Sequence, residues 1–315
     1  MPAAPVAFTT PITAPVWKRR LLFSPAARLV LFAILLVGTG FAVHAAVAAL
    51  GWTDKTAPPL LRALARLGIQ ALPALFGYLI VVRWVERRRM RELDPRDIPV
   101  FGLGSLLLGV ALFSTVAGVL WLLGSYHVTG TNDHVNWAFG FLVAGIGAGI
   151  GEEIITRGML FRVIEEGMGT WWALLISAAF FGAAHAFNPG ATLWSSVAIM
   201  IEAGVLLALM YHVTRSLWAC IGLHAAWNTT EGLVYGVSVS GGSVHGWLKS
   251  TLTGPDWLTG GQFGAEASVV AVAVCSVLSA ILLAIALRRR SIVPPSWRRN
   301  ANAPLTGPST AAQEG

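Results

Sequence analysis

Apolar residues fall in unbroken blocks along this chain, not at the three-to-four-residue spacing of an amphipathic surface helix. Eight blocks are readable, over about 29–50, 60–82, 99–123, 136–163, 171–188, 193–214, 216–236 and 267–287. As helix, a block of about 20 residues crosses a ~30 Å hydrocarbon core. Turn-forming residues part the blocks: Gly167-Met168-Gly169 after the fourth and Asn188-Pro189-Gly190 after the fifth. The pattern predicts an all-α, polytopic membrane protein with about eight transmembrane helices. Residues 1–27 read as a Pro/Ala-rich segment, 28–96 as two helices with a basic loop, and 97–287 as the main transmembrane domain. Residues 288–315 read as a basic, disordered tail. A cleaved signal peptide ending near Ala45–Ala49 competes for the first block, but that block is long enough to span and more spans follow.

Composition agrees. Hydrophobic residues are 55% of the chain and charged residues 12%, about half the charged share of an ordinary soluble domain. The formal charge of +7 does not point to nucleic acid, because the basic residues sit in short clusters between apolar blocks, where they read as topology signals. With an even number of spans, 18 of the 22 Lys and Arg fall on one side, and Lys55, Arg62, Arg66 and Lys249 on the other. That bias places both termini in the cytoplasm. Cys220 and Cys275 each lie in an apolar stretch and form no disulfide framework or CxxC site.

Against this background a few ionisable residues stand out. Each costs about 2.5–3.5 kcal/mol to insert at bilayer depth, so each is a functional candidate. In the fourth span, Glu153 and Arg157 are one helical turn apart and suited to an ion pair. Glu152 points about 100° away and is left to face a cavity. In the fifth span, His185 lies 17 residues after Met168, and Glu152 lies 16 before it. If the glycines at 167–169 turn an antiparallel pair, both sit about 25 Å from the tip and level with each other. In the seventh span, His224 and Asn228 share a face one turn apart. They could donate to a developing oxyanion or merely bond between helices. Glu202, in the sixth span, reads as a supporting residue that balances Arg157 or orients a histidine. His44, His127, His134, His212 and His245 fall near span ends and read as interfacial. The overlapping pairs Gly145/Gly149 and Gly147/Gly151 permit close helix approach.

EExxxR at 152–157, FxxxH at 181–185 and HxxxN at 224–228, in that order on successive spans, resemble the type II CAAX prenyl endopeptidase and bacteriocin-processing (CPBP, or Abi) family of intramembrane proteases. The resemblance covers roughly 97–285 and is strongest over 150–230. The stretch from Gly254-Pro255 to Glu266-Ala267-Ser268 is also similar to bacterial members, with Ala265 where proline is expected. The resemblance implies that 97–287 is a catalytic transmembrane domain. It implies that Glu152 is the catalytic glutamate, His185 a water-positioning histidine, and His224 and Asn228 an oxyanion-stabilising pair. Glu153, Arg157 and Glu202 then support them.

The expected activity is hydrolysis of a peptide bond in a membrane-associated protein or peptide by water activated at Glu152 and His185. No Ser or Cys in these motifs is placed as a nucleophile. Glu152, His185 and His224 also form a possible zinc set, which would make the enzyme a metallopeptidase. Metal-free chemistry is the preferred expectation. The opposed reading is a non-catalytic scaffold, an immunity protein or a proton-coupled transporter using the same polar core. The expected setting is a bacterial inner membrane, with lipid and a membrane-embedded substrate as partners and no nucleic acid.

Overall fold

Each apolar block forms a helix. The computed structural model describes residues 6–11, 13–243 and 245–301. The eight main helices are α1 (Pro25–Ala49), α2 (Pro59–Val85), α3 (Pro95–Leu122), α4 (Trp137–Met168), α5 (Thr170–His185), α6 (Leu193–Thr214), α7 (Leu217–Thr229, running on through Thr230–Val234) and α8 (Val269–Arg288). Six of them, all but α5 and α7, are long and apolar enough to cross a membrane. The α5 helix has 16 residues, about 24 Å at 1.5 Å per residue. In α7, His224, Asn228 and Glu231 lower the hydropathy.

The ends are set by local chemistry. Ser24 and Ser268 cap α1 and α8 by accepting the N–H of Ala27 and Ala271. Thr192 and Ser195 form a reciprocal capping box at α6. Gly169, at φ +84°, turns the chain from α4 into α5 where a Cβ would meet the Val293 carbonyl at 2.6 Å.

A two-stranded antiparallel ribbon departs from the purely helical expectation. β1 (Tyr126–Thr131) pairs with β2 (Leu248–Leu252) across a bulge at Val128/Gly130. The two segments are some 120 residues apart in sequence, and each alone reads as a polar connection.

Two glycine rows wedge α4 between its neighbours. A Cβ on Gly145 or Gly149 would meet Thr229 Oγ1 at 2.5 Å or Ile221 O at 3.1 Å, both on α7. On Gly147 or Gly151 it would meet Gln70 Oε1 at 2.3 Å or Gln70 O at 2.5 Å, both on α2. The overlapping GxxxG pairs therefore serve two interfaces of one helix.

Several arginines expected as topology signals are buried in ion pairs. Arg28, Arg88 and Arg162 all bond Glu86, and Arg28 and Arg162 also reach Glu166. Arg88 further pairs with Glu92 at 2.6 Å, and Tyr78 donates to the same Glu92 oxygen. A second group joins Glu165 to Arg215 and His212. His212, near the end of α6 as expected, is buried within the protein, at 1% exposure, with its other ring nitrogen 3.0 Å from Ser291 Oγ.

Where the disordered tail was expected, residues 292–299 lie against the body. Val293 is buried, its N–H donates to Thr170 Oγ1 at 2.9 Å, and Arg299 donates to Pro294 O. A short helix, Ser296–Ala301, follows. The remainder of that tail, 302–315, lies outside the described residues.

Candidate active site

Glu152 and Glu153 sit at the end of a regular stretch of α4, between two wider π-type segments, Gly140–Gly147 and Ile154–Phe161. Such widenings recur at functional sites because they re-aim side chains without ending the helix. Here the adjacent carboxylates part company. Glu153 is fully buried and accepts from Arg157 Nη1 at 2.9 Å. Arg157 is fully buried as well and donates to Thr156 Oγ1 (2.7 Å), Ala203 O (3.0 Å) and Gly204 O (3.2 Å). Its guanidinium lies 4.7 Å from the centre of the Phe181 ring. Arg157 thus ties α4 to α5 and α6.

Glu152 is half-buried, and its Oε2 faces two imidazoles. His185 Nε2 is 3.9 Å from that oxygen and His224 Nε2 is 4.0 Å from it. Both rings are held from behind. His185 Nδ1 lies 2.8 Å from Phe181 O, and a carbonyl only accepts, so Nδ1 carries the proton. His224 Nδ1 lies 2.9 Å from Glu153 Oε1, which likewise accepts. Glu153 therefore binds Arg157 and His224 with one oxygen, a second duty that its sequence neighbours do not reveal. The Phe181 ring stands 4.6 Å from the His185 ring and 6.1 Å from that of His224, fixing both planes.

Asn228 is buried, one turn beyond His224, and donates one amide N–H to Ala144 O at 2.9 Å. Among the described residues the other amide hydrogen has no partner, and Asn228 lines the cavity. Glu202 is 3% exposed and, among the described residues, makes no hydrogen bond to Arg157 or to a histidine. It lies instead near Glu266, with Glu231 alongside. Neither of these two carboxylates was read as a site residue. Glu231 lies three residues past Asn228 with no motif to mark it, and Glu266 falls within the Gly254–Ser268 stretch, which carries only a family resemblance. Ser240 donates to Glu266 Oε2 through both its N–H and its hydroxyl, each at 2.8 Å.

A small cavity of about 20 Å³, room for about one water, is lined by His185, His224, Asn228, Glu202, Ser240 and Glu266. Chemically, the carboxylate of Glu152 with two imidazole nitrogens about 4 Å away suits a bridging water. Two hydrogen bonds of about 2.8 Å meeting at about a right angle span that distance.

Zinc needs a tighter arrangement. Metal–ligand bonds of about 2.0–2.1 Å in a tetrahedron put ligand atoms about 3.3 Å apart, closer than the 3.9 and 4.0 Å seen here. Among the described residues no three His, Cys, Asp or Glu side chains are placed to hold a metal ion.

No curated protein and no solved structure matches the chain. Residues 134–230 match the family model described as type II CAAX prenyl endopeptidase Rce1-like. That segment holds all of Glu152, His185, His224 and Asn228. It supports a CAAX-protease-like peptidase at the level of the family, in agreement with the resemblance that the three motifs carry. With its apolar, membrane-length helices, the chain is an integral membrane protein, and its residues 134–230 are similar to the type II CAAX prenyl endopeptidase, Rce1-like family.

Proposed function

We propose that the chain is an intramembrane endopeptidase that cleaves a membrane-embedded protein or peptide with water activated by Glu152 and His185. The observation that carries this reading is the single Glu152 oxygen set about 4 Å from two imidazoles, each locked from behind. Glu152 takes a proton from the water while His185 Nε2 accepts its other hydrogen. The oxygen forms a bond to the substrate carbonyl carbon, and the carbonyl electron pair moves to its oxygen. His224, with Nδ1–H held by Glu153 and a second proton on Nε2, and Asn228, with its second N–H, donate to that oxyanion. The carbon–nitrogen bond then breaks, and Glu152 returns its proton to the leaving amine.

No step requires a metal. A chelator-sensitive activity accompanied by stoichiometric zinc in the purified protein would overturn that part of the mechanism. The setting we propose is a bacterial inner membrane with both termini cytoplasmic, the orientation that the Lys and Arg distribution favours.

The test is a comparison of new protein N-termini in cells carrying the parent chain or Glu152→Gln. Termini from membrane proteins are expected to vanish in the variant. If the variant inserts normally and the two sets are identical, or if it keeps full biological activity, a scaffold, immunity or transport role replaces proteolysis.

A further inference from the structure

The N-terminal segment and the end of α2 line an open cleft of about 300 Å³, the size of a small-ligand site. Its lining includes Lys18, Leu22 and Phe23 from the segment and Trp84, Glu86 and Arg87 from the end of α2. Phe8 ties the segment to the body, packing on Phe23 at 6.0 Å and on the Arg28 guanidinium at 4.6 Å. The α1 helix starts at Pro25 and α2 ends at Val85. The cleft is therefore level with the ends of two apolar spans, at the depth of lipid headgroups.

Its charge is one-sided. Lys18, Arg19 and Arg20 lie in a short helix, Val16–Leu21, and Arg83, Arg87 and Arg89 lie at and beyond the end of α2. All six are exposed, and among the described residues none enters an ion pair. Glu86, the acid in the wall, is spent on Arg28, Arg88 and Arg162. Two exposed tryptophans stand beside these cations, Trp17 and Trp84, with Lys18 Nζ 5.4 Å from the centre of the Trp17 ring. Tryptophan at a span end marks the membrane–water interface, and a basic cluster there attracts acidic lipid.

We propose that this cleft binds the headgroup of an anionic phospholipid. Lys18 and Arg87 take its phosphate, and Leu22, Phe23 and Trp84 meet the start of its acyl chains. The site is remote from Glu152 in its residues and does not depend on the peptidase reading.

The test uses the full chain in a neutral detergent, with the unfolding temperature as readout. The probes are dioctanoyl phosphatidylglycerol, dioctanoyl phosphatidylcholine and inorganic phosphate. Phosphatidylglycerol is expected to raise the unfolding temperature by about 2 °C or more at saturating concentration, and the other two to leave it unchanged. The double variant Lys18→Gln/Arg87→Asn should lose the rise. Asn is chosen because Arg87 has a left-handed backbone, φ +50°, which Asn adopts readily. The matched control is Arg289→Gln/Arg290→Asn at the end of α8. It removes two exposed charges, one of them also left-handed at φ +51°, and should keep the full rise. Equal shifts from the two lipids, no shift from phosphatidylglycerol, or a full rise in Lys18→Gln/Arg87→Asn would overturn the proposal. An equal loss in the control would show diffuse charge attraction in place of a site. The same rise with inorganic phosphate would show an anion site that takes no lipid, and either result overturns it too.

Discussion

Two glutamates in adjacent positions do different work, and the difference follows from 100° of helical rotation. Glu153 is in contact with Arg157 and His224, whereas Glu152 Oε2 has no partner among the described residues. Removing one member of a buried ion pair costs about 3–5 kcal/mol. Glu153→Gln should therefore lower the unfolding temperature markedly and activity with it. Glu152→Gln should abolish activity while melting close to the parent. Equal melting losses in a side-by-side thermal scan would refute this division. The Glu153–Arg157 pair was legible in the sequence because it is local, one turn of one helix. The Glu153–His224 bond was not, because 71 residues separate its partners and only packing brings them together. Glu231 and Glu266 were missed for the same reason.

At the scale of elements, the apolar blocks locate the eight helices to within a few residues. What the blocks do not carry is the ribbon of β1 and β2, whose partners are remote, or the widened turns around Glu152. The GxxxG pattern announced close approach, but not that alternate pairs face different helices. Position then decides cost. A methyl on Gly151 would lie 2.5 Å from the backbone oxygen of Gln70, which cannot yield easily, whereas on Gly149 its nearest neighbour is at 3.1 Å. Overpacking of this kind costs about 1–3 kcal/mol. Gly151→Ala should destabilise clearly more than Gly149→Ala in unfolding scans, and should also reduce activity by moving Glu152. A reversed order would show that α2 is free to move away from α4.

For the molecule as a whole, the basic clusters have a use beyond the side preference expected of them. The composition showed a positive chain with a side preference, and nothing in it distinguished Arg28 or Arg162, both 1% exposed, from a solvated arginine. The network they enter makes stability depend on pH. Burial pushes the carboxyls of Glu86 and Glu92 up, but the guanidiniums win and hold both below their ordinary value of 4.5. For Glu86 these are Arg162, Arg28 and Arg88, and for Glu92 they are Arg88 and Arg162. A carboxyl lowered by folding stabilises fully above its unfolded value and loses that contribution as pH falls through its folded one. The unfolding temperature in detergent should thus hold flat down to about pH 5 and fall below about pH 4. Arg162→Gln should flatten that fall as well as lower the plateau. An unchanged acid profile in that variant would mean the network is not the source.

The length of α5 reaches beyond architecture. Its 16 residues end at His185, about 24 Å along a layer about 30 Å thick, and every turnover of a hydrolase consumes a molecule that oil excludes. A helix that stops short shortens the dry path from one surface to the imidazole. For the hydrolysis proposed above, resupply of the co-reactant would then be coupled to bilayer thickness, and turnover in vesicles of shorter-chain lipid should exceed that in longer-chain lipid.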